Sequence, residues 1–175
     1  MQDAVLLVVD VQTIIVTEDL YNVKNVVRNI KALISACRDK GIEVIYVQHD
    51  DGPGSKLAHG TENWQIYHEV APGKTEKIFQ KQYNSSFLHT GLKEYLEGKG
   101  IKTIVLVGLQ TEYCMDATCK SAFEHGFHVI VPEETNSTFD NEYLTGKALY
   151  EMFNFRIWNN RFAKVLPIAE VLGAI

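Results

Sequence analysis

The chain has 175 residues, enough for one domain with a full hydrophobic core, and it is expected to form a single domain over 1–175. A net charge of -5 with no basic run speaks against a nucleic-acid partner. Three widely separated cysteines do not make a disulfide framework. Met1–Ala4 carries no basic region and the apolar run after it stops at Asp10, which matches neither a signal peptide nor a membrane span. A reducing, cytoplasmic setting is the expectation.

Ala4–Val9 is a continuous apolar run of strand length, suited to the centre of a parallel sheet and closed by Asp10. From about Leu20 to Lys40, apolar residues from Val23 to Cys37 recur at three and four, which predicts a helix ended by Gly41. Ile42–Gln48 reads as a second strand, giving a βαβ unit. From His49 to about Thr75 the texture is that of a long connection rich in Gly, His and Pro, a candidate lid. His49, His59 and His68 match no compact ligand spacing, and scattered loop histidines commonly face solvent, so no metal is assigned. A brief extended stretch, Glu76–Gln80, leads into Lys81, and a helix is expected over Gly91–Gly98. Ile101–Val107 is a β-branched run between glycines, followed by a turn and a helix reaching Gly126. Phe127–Pro132 predicts another strand, Phe139–Phe155 a helix, Phe162–Leu166 a short strand, and Ile168–Leu172 a last helical turn. Alternating strands and helices predict an α/β protein: a three-layer α/β/α sandwich around a mostly parallel, Rossmann-like sheet.

Cys114 follows the Ile101–Val107 strand and falls in the first turn of the next helix, with Thr111 as the expected N-cap. Backbone N–H groups and the positive end of the helix dipole gather there, a setting in which a thiol should ionise more easily. A lone cysteine in that place also suits plain packing. Asp10 and Lys81 likewise follow strand-like runs, and in a parallel sheet such ends open on one edge. Lys81 alone reads as a solvated lysine. Together the three make a catalytic set: Asp10 as general base, Lys81 as the positive charge beside it, Cys114 as nucleophile.

Four segments resemble the isochorismatase-like cysteine hydrolase superfamily, which includes nicotinamidases and N-carbamoylsarcosine amidases. They are Val8–Gln12; Lys81–Phe87 with Thr90 and Leu92; Gly108–Cys114 with Thr118, Ala122 and Gly126; and Asn160–Ala163. The resemblance implies the isochorismatase-like hydrolase fold, an Asp10–Lys81–Cys114 triad, and an oxyanion hole formed by the backbone N–H groups of Gln110 and Cys114. It also implies a cis peptide at Leu109–Gln110. Were Cys114 N–H to serve the hole, Thr111 would have to cap a neighbouring N–H instead.

Departures narrow the expectation. The Asp-x-His of metal-dependent nicotinamidases is absent: the region reads Gln48-His49-Asp50-Asp51. Ile14-Ile15 replaces a common aromatic, Met115 a common Val, and Met152-Phe153-Asn154 a common His-His-Asn. The reading is a metal-independent, cofactor-free cysteine hydrolase cleaving a C–N bond in a small amide or ureido compound through a thioester. The alternatives are an idle binding or oligomeric scaffold, or a nicotinamidase without the usual metal site. Gln12, Trp64, Tyr83, Tyr113 and Phe139 are the candidate substrate contacts, the aromatics equally suited to core. The partners expected are a small amide-like molecule and further copies of the chain, as in many members of the superfamily.

Overall fold

The computed structural model describes residues 3–175. Its centre is strand β1 (Ala4–Val9), in which all six residues are buried. Such a strand needs cover on both faces, and its alternation supplies it. Leu6 and Val8 join one apolar cluster, while Val5, Leu7 and Val9 join the other. Beside it run β2 (Glu43–His49), β3 (Lys77–Lys81), β4 (Thr103–Leu109), β5 (His128–Pro132), the two-residue β6 (Asn136–Ser137) and β7 (Lys164–Leu166). Their order is β3-β2-β1-β4-β5-β7, with β6 paired to the end of β4, and every strand pair is parallel.

Helices α1 (Val23–Asp39) and α5 (Ile168–Ala174) cover one face, with Ile30, Leu33, Ile34 and Cys37 of α1 packed on Leu6, Val8, Tyr46 and Val107. Helices α2 (Leu92–Gly98) and α3 (Asp116–Glu124) cover the other, placing Leu92, Leu96, Cys119 and Ala122 against Val5, Leu7, Ile45 and Leu106. The result is the expected three-layer α/β/α architecture. The chain runs β1 to β3 outward on one side of the sheet and β4 to β7 on the other. The crossing between β1 and β4 is therefore the topological switch point, where a crevice opens at the carboxyl ends of the strands.

Two local expectations are corrected. Residues 139–145 are not helical; α4 covers only Gly146–Glu151 and passes into a wider π-helical turn, Met152–Trp158. Short polar side chains hold that preceding loop: Asp140 Oδ1 accepts the Gly146 N–H, and Asn141 Oδ1 accepts those of Tyr143 and Leu144. Thr145 then caps α4 through the Ala148 N–H. Thr111 does not cap the nucleophile helix, because its hydroxyl donates to Asn136 Oδ1 at 2.8 Å. That helix opens instead as a π turn, Thr111–Met115, in which Met115 N–H reaches the Gln110 carbonyl five residues back. The long connection after β2 is tied down rather than loose. Gln12 pairs with Ile66 in an antiparallel bridge, and a 3₁₀ turn closes at His68–Val70.

Candidate active site

Three adjacent parallel strands end at the same level, and each contributes the residue at its carboxyl end. Asp10 follows β1, His49 closes β2, and Lys81 closes β3 in direct register with His49. Asp10 leaves the strand with φ 51°, a left-handed conformation that Asp tolerates better than most residues. Across the switch point, β4 ends at Gly108-Leu109, the Leu109–Gln110 peptide is cis, and the π turn carries Cys114 back over the sheet edge.

The three predicted triad residues meet. Lys81 Nζ lies 2.6 Å from Asp10 Oδ2 and 3.1 Å from Cys114 Sγ. The contact with Asp10 is close but bent, an ion pair rather than an aligned hydrogen bond. Asp10 and Lys81 are 1% and 3% exposed, so this is a buried pair. Cys114 is only partly covered, which leaves the sulfur reachable, and Asn84 Oδ1 lies 3.8 Å from it.

Burial outweighs the ammonium in setting both acidities. Desolvation raises the Asp10 carboxyl above its ordinary range, with Lys81 pulling the other way. Cys114 is pushed up to about 12, by desolvation first and by the Asp10 charge second, again opposed by Lys81. This corrects the expectation that the helix start would ease ionisation. Both shifts favour the protonated thiol and make the Asp10 carboxylate a better base.

His49 is a further correction, since a solvent-facing loop histidine was expected. Its side chain is 12% exposed and Nδ1 lies 2.9 Å from Lys81 Nζ, while Nε2 lies 2.8 Å from Asp51 Oδ1. Asp10, His49 and Cys114 thus offer a carboxylate, an imidazole and a thiol within 4.8 Å of one another, a set that resembles a metal tripod. The cation at its centre is the Lys81 ammonium, which touches all three. The rule that singled out Asp10 and Lys81, a polar residue ending a strand, would have found His49 as well.

The supporting shell is polar and buried. Gln12 is 0% exposed, and its amide is engaged within the protein: Nε2 donates to the carbonyls of His49 and Trp64, and Oε1 accepts the His49 N–H. Ser86 binds Thr118 of α3 through both N–H and hydroxyl, and Thr90 donates to the Ser86 carbonyl, fixing the loop that bears Asn84 to the nucleophile helix. Thr111, Asn136 and Asn154 form a chain of side-chain hydrogen bonds of 2.8–3.0 Å beneath the π turn. The Gln110 side chain reaches Thr138, whose hydroxyl donates to Glu112. Among the aromatic candidates, Tyr83 and Tyr113 are about half exposed. Trp64 is buried with its ring against His59, and Phe139 packs on the α1-side core.

Fold and site together define a class of three-layer α/β proteins with a parallel sheet and a Cys–Lys–Asp arrangement at its edge. The sequence matches the isochorismatase domain over residues 4–170, and the chain belongs to the isochorismatase-like hydrolase family, which has nicotinamidase and amidohydrolase members. A streptothricin hydrolase of Streptomyces noursei is 33% identical over 77% of this chain and 50% of its own length, so the chain spans about half of that relative. A ureidoacrylate amidohydrolase of Agrobacterium fabrum is 24% identical over 89% of this chain and 85% of its own. The crystal structure of an isochorismatase-family protein from Chromobacterium violaceum superposes with a TM-score of 0.92 at 26% identity, covering 99% of this chain and 94% of the other. Among the described residues, no helix is long and apolar enough to cross a membrane.

Proposed function

We propose that this chain is a cysteine hydrolase that cleaves a C–N bond in a small amide or ureido substrate without a metal. The observation that carries the reading is the Lys81 ammonium held between the Asp10 carboxylate and a reachable Cys114 sulfur, at 2.6 and 3.1 Å. Asp10 takes the thiol proton as the sulfur attacks the substrate carbonyl carbon, and Lys81 stabilises the negative sulfur. The carbonyl π electrons move to oxygen, and the Gln110 and Cys114 backbone N–H groups receive that oxyanion. The tetrahedral adduct collapses with cleavage of the C–N bond, Asp10 returns its proton to the departing nitrogen, and a thioester remains. Water then gives a proton to Asp10 and attacks the thioester carbon. Release of the acid regenerates the sulfur, which recovers its proton from Asp10.

A high thiol pKa is compatible with this sequence, because the proton moves to an adjacent base of raised basicity during attack rather than to bulk water beforehand. The amide and ureido classes are supported by the amidohydrolase among the relatives and by acyl chemistry at a thiol. Gln12, Trp64, Tyr83, Tyr113 and Phe139 remain the proposed substrate contacts. Gln12 would act through the backbone of His49, and half-exposed Tyr83 and Tyr113 are placed to meet a ligand directly. Self-association is part of the proposal, and sedimentation velocity tests it.

The test is a screen of small primary amides and ureido compounds for ammonia release, run beside Cys114→Ala. Hydrolysis lost by about 10³-fold or more in the variant supports the reading. Cleavage that persists in Cys114→Ala, or no cleavage of any amide by the parent, ends it.

A further inference from the structure

An ammonium has three hydrogens, and in this site three groups surround it: an ion-pair partner and two hydrogen-bond partners. Lys81 Nζ meets Asp10 Oδ2, Cys114 Sγ and His49 Nδ1. For Nδ1 to accept from an ammonium it must be unprotonated, so the neutral imidazole carries its hydrogen on Nε2. That hydrogen has its own acceptor, Asp51 Oδ1 at 2.8 Å. The imidazole is held as well as oriented, since Gln12 grips the His49 backbone from both sides through its N–H and its carbonyl.

We infer that His49, backed by Asp51, is a positioning residue that fixes the rotation of the Lys81 ammonium so that its two remaining hydrogens face the Asp10 carboxylate and the Cys114 sulfur. The inference deepens the proposed triad chemistry and rests on it. Without the imidazole, the buried ammonium keeps a hydrogen with no acceptor and turns away from the sulfur to find one. That turn moves positive charge away from the thiol. The charged and titratable groups facing His49 are Lys81 from β3, Asp10 from β1, Cys114 from the π turn and Asp51 from its own loop. Asp50 is directed elsewhere, its Oδ1 accepting the N–H groups of Gly52 and His59.

The experiment needs no substrate. In the full-length protein at one fixed pH, the rate of iodoacetamide labelling at Cys114 is followed by peptide mass spectrometry for the parent, His49→Leu, His49→Asn and Asp51→Ala. His49→Leu removes the acceptor and slows labelling about tenfold or more. His49→Asn places an amide oxygen where Nδ1 stood and restores the rate to within about threefold, a rescue that loss of packing would not produce. Asp51→Ala, on an exposed residue that leaves the fold undisturbed, slows labelling by a smaller factor, about threefold. Independently, ¹⁵N chemical shifts of the imidazole in the unmutated protein report the Nε2–H tautomer. A Nδ1–H tautomer, or parent-like labelling in His49→Leu, overturns the inference. Should no amide be hydrolysed while these labelling and tautomer results hold, the proposed reaction falls and the positioning of Lys81 stands.

Discussion

At the scale of single residues, the site turns on the competition between burial and charge at one sulfur. Cys114 is partly accessible, whereas Cys37 and Cys119 are 0% exposed, and burial pushes those two up to about 11 and about 12. Access therefore separates the three thiols more than acidity does. Iodoacetamide should modify Cys114 alone in the folded protein, with Cys37 and Cys119 labelled only after denaturation. The pH dependence follows from the Cys114 value. Below a pKa of about 12 the thiolate fraction rises about tenfold per pH unit, so the labelling rate should climb through pH 7 to 10 without levelling. A plateau below the ordinary cysteine range would show that Lys81 outweighs desolvation and the Asp10 charge. Asp10 and Lys81 were legible from their places at the ends of apolar runs. The sign of the Cys114 shift was not, because desolvation depends on what the rest of the chain lays over the sulfur.

Elements are joined by a few polar contacts whose cost can be measured. Arg38, in the last turn of α1, forms a two-pronged ion pair of 2.8 and 2.7 Å with Glu76, just before β3. Glu76 also accepts the Gly73 N–H, and Arg38 reaches the Ala71 carbonyl, so the pair fastens the end of the long connection to α1. The Arg38 hydrogen bond lowers the Glu76 pKa, opposed by partial burial. A depressed folded-state pKa means stability present above the unfolded-state value and lost as pH falls through the folded-state value. With Arg38 about two-fifths exposed, solvent screening limits the contribution to roughly 1 kcal/mol or less. Glu76→Gln should lower the thermal midpoint by a few degrees at neutral pH. The gap from the parent should close as the acid range is entered; a gap independent of pH would point to packing instead of charge. Element boundaries were read well where apolar periodicity was strong, as in α1 and β1. They were misread over 139–145, where Asp140, Asn141 and Thr145 bind backbone N–H groups ahead of the helix.

For the molecule as a whole, the β1–β4 seam carries both the core and the site. The two strands pair from Ala4–Thr103 to Val9–Gly108, and Gly108 sits against Val9 at φ 137°. A Cβ added there would stand 2.0 Å from the Val9 carbonyl oxygen. Neither a side chain nor a solvent molecule can yield the space, since the obstacle is backbone of the central strand. Gly108→Ala should cost at least about 3 kcal/mol, through combined strain and overpacking, and appear as a large fall in denaturation midpoint. A stable, fully folded Gly108→Ala protein would mean that the seam can open without harm. Two cavities of about 550 and 680 Å³ lie among residues such as Thr103, His128, Ala4 and Glu43 at the amino ends of the strands, whereas the one lined by Lys81 and Tyr83 is only about 210 Å³. The chemistry is thus marked by convergence of charges at the opposite edge and not by volume.

The amino-acid sequence by itself determined the alternation of strands and helices, the parallel sheet and the candidacy of Asp10, Lys81 and Cys114. These follow from local periodicity and from residues that interrupt apolar runs. Tertiary structure alone decided that His49 is a member of the cluster, that Gln12 braces it, that Thr111 binds Asn136, and that burial raises the Cys114 pKa. Such properties belong to distances between residues far apart in the chain and to the exclusion of water around them, and neither is a property of any single stretch.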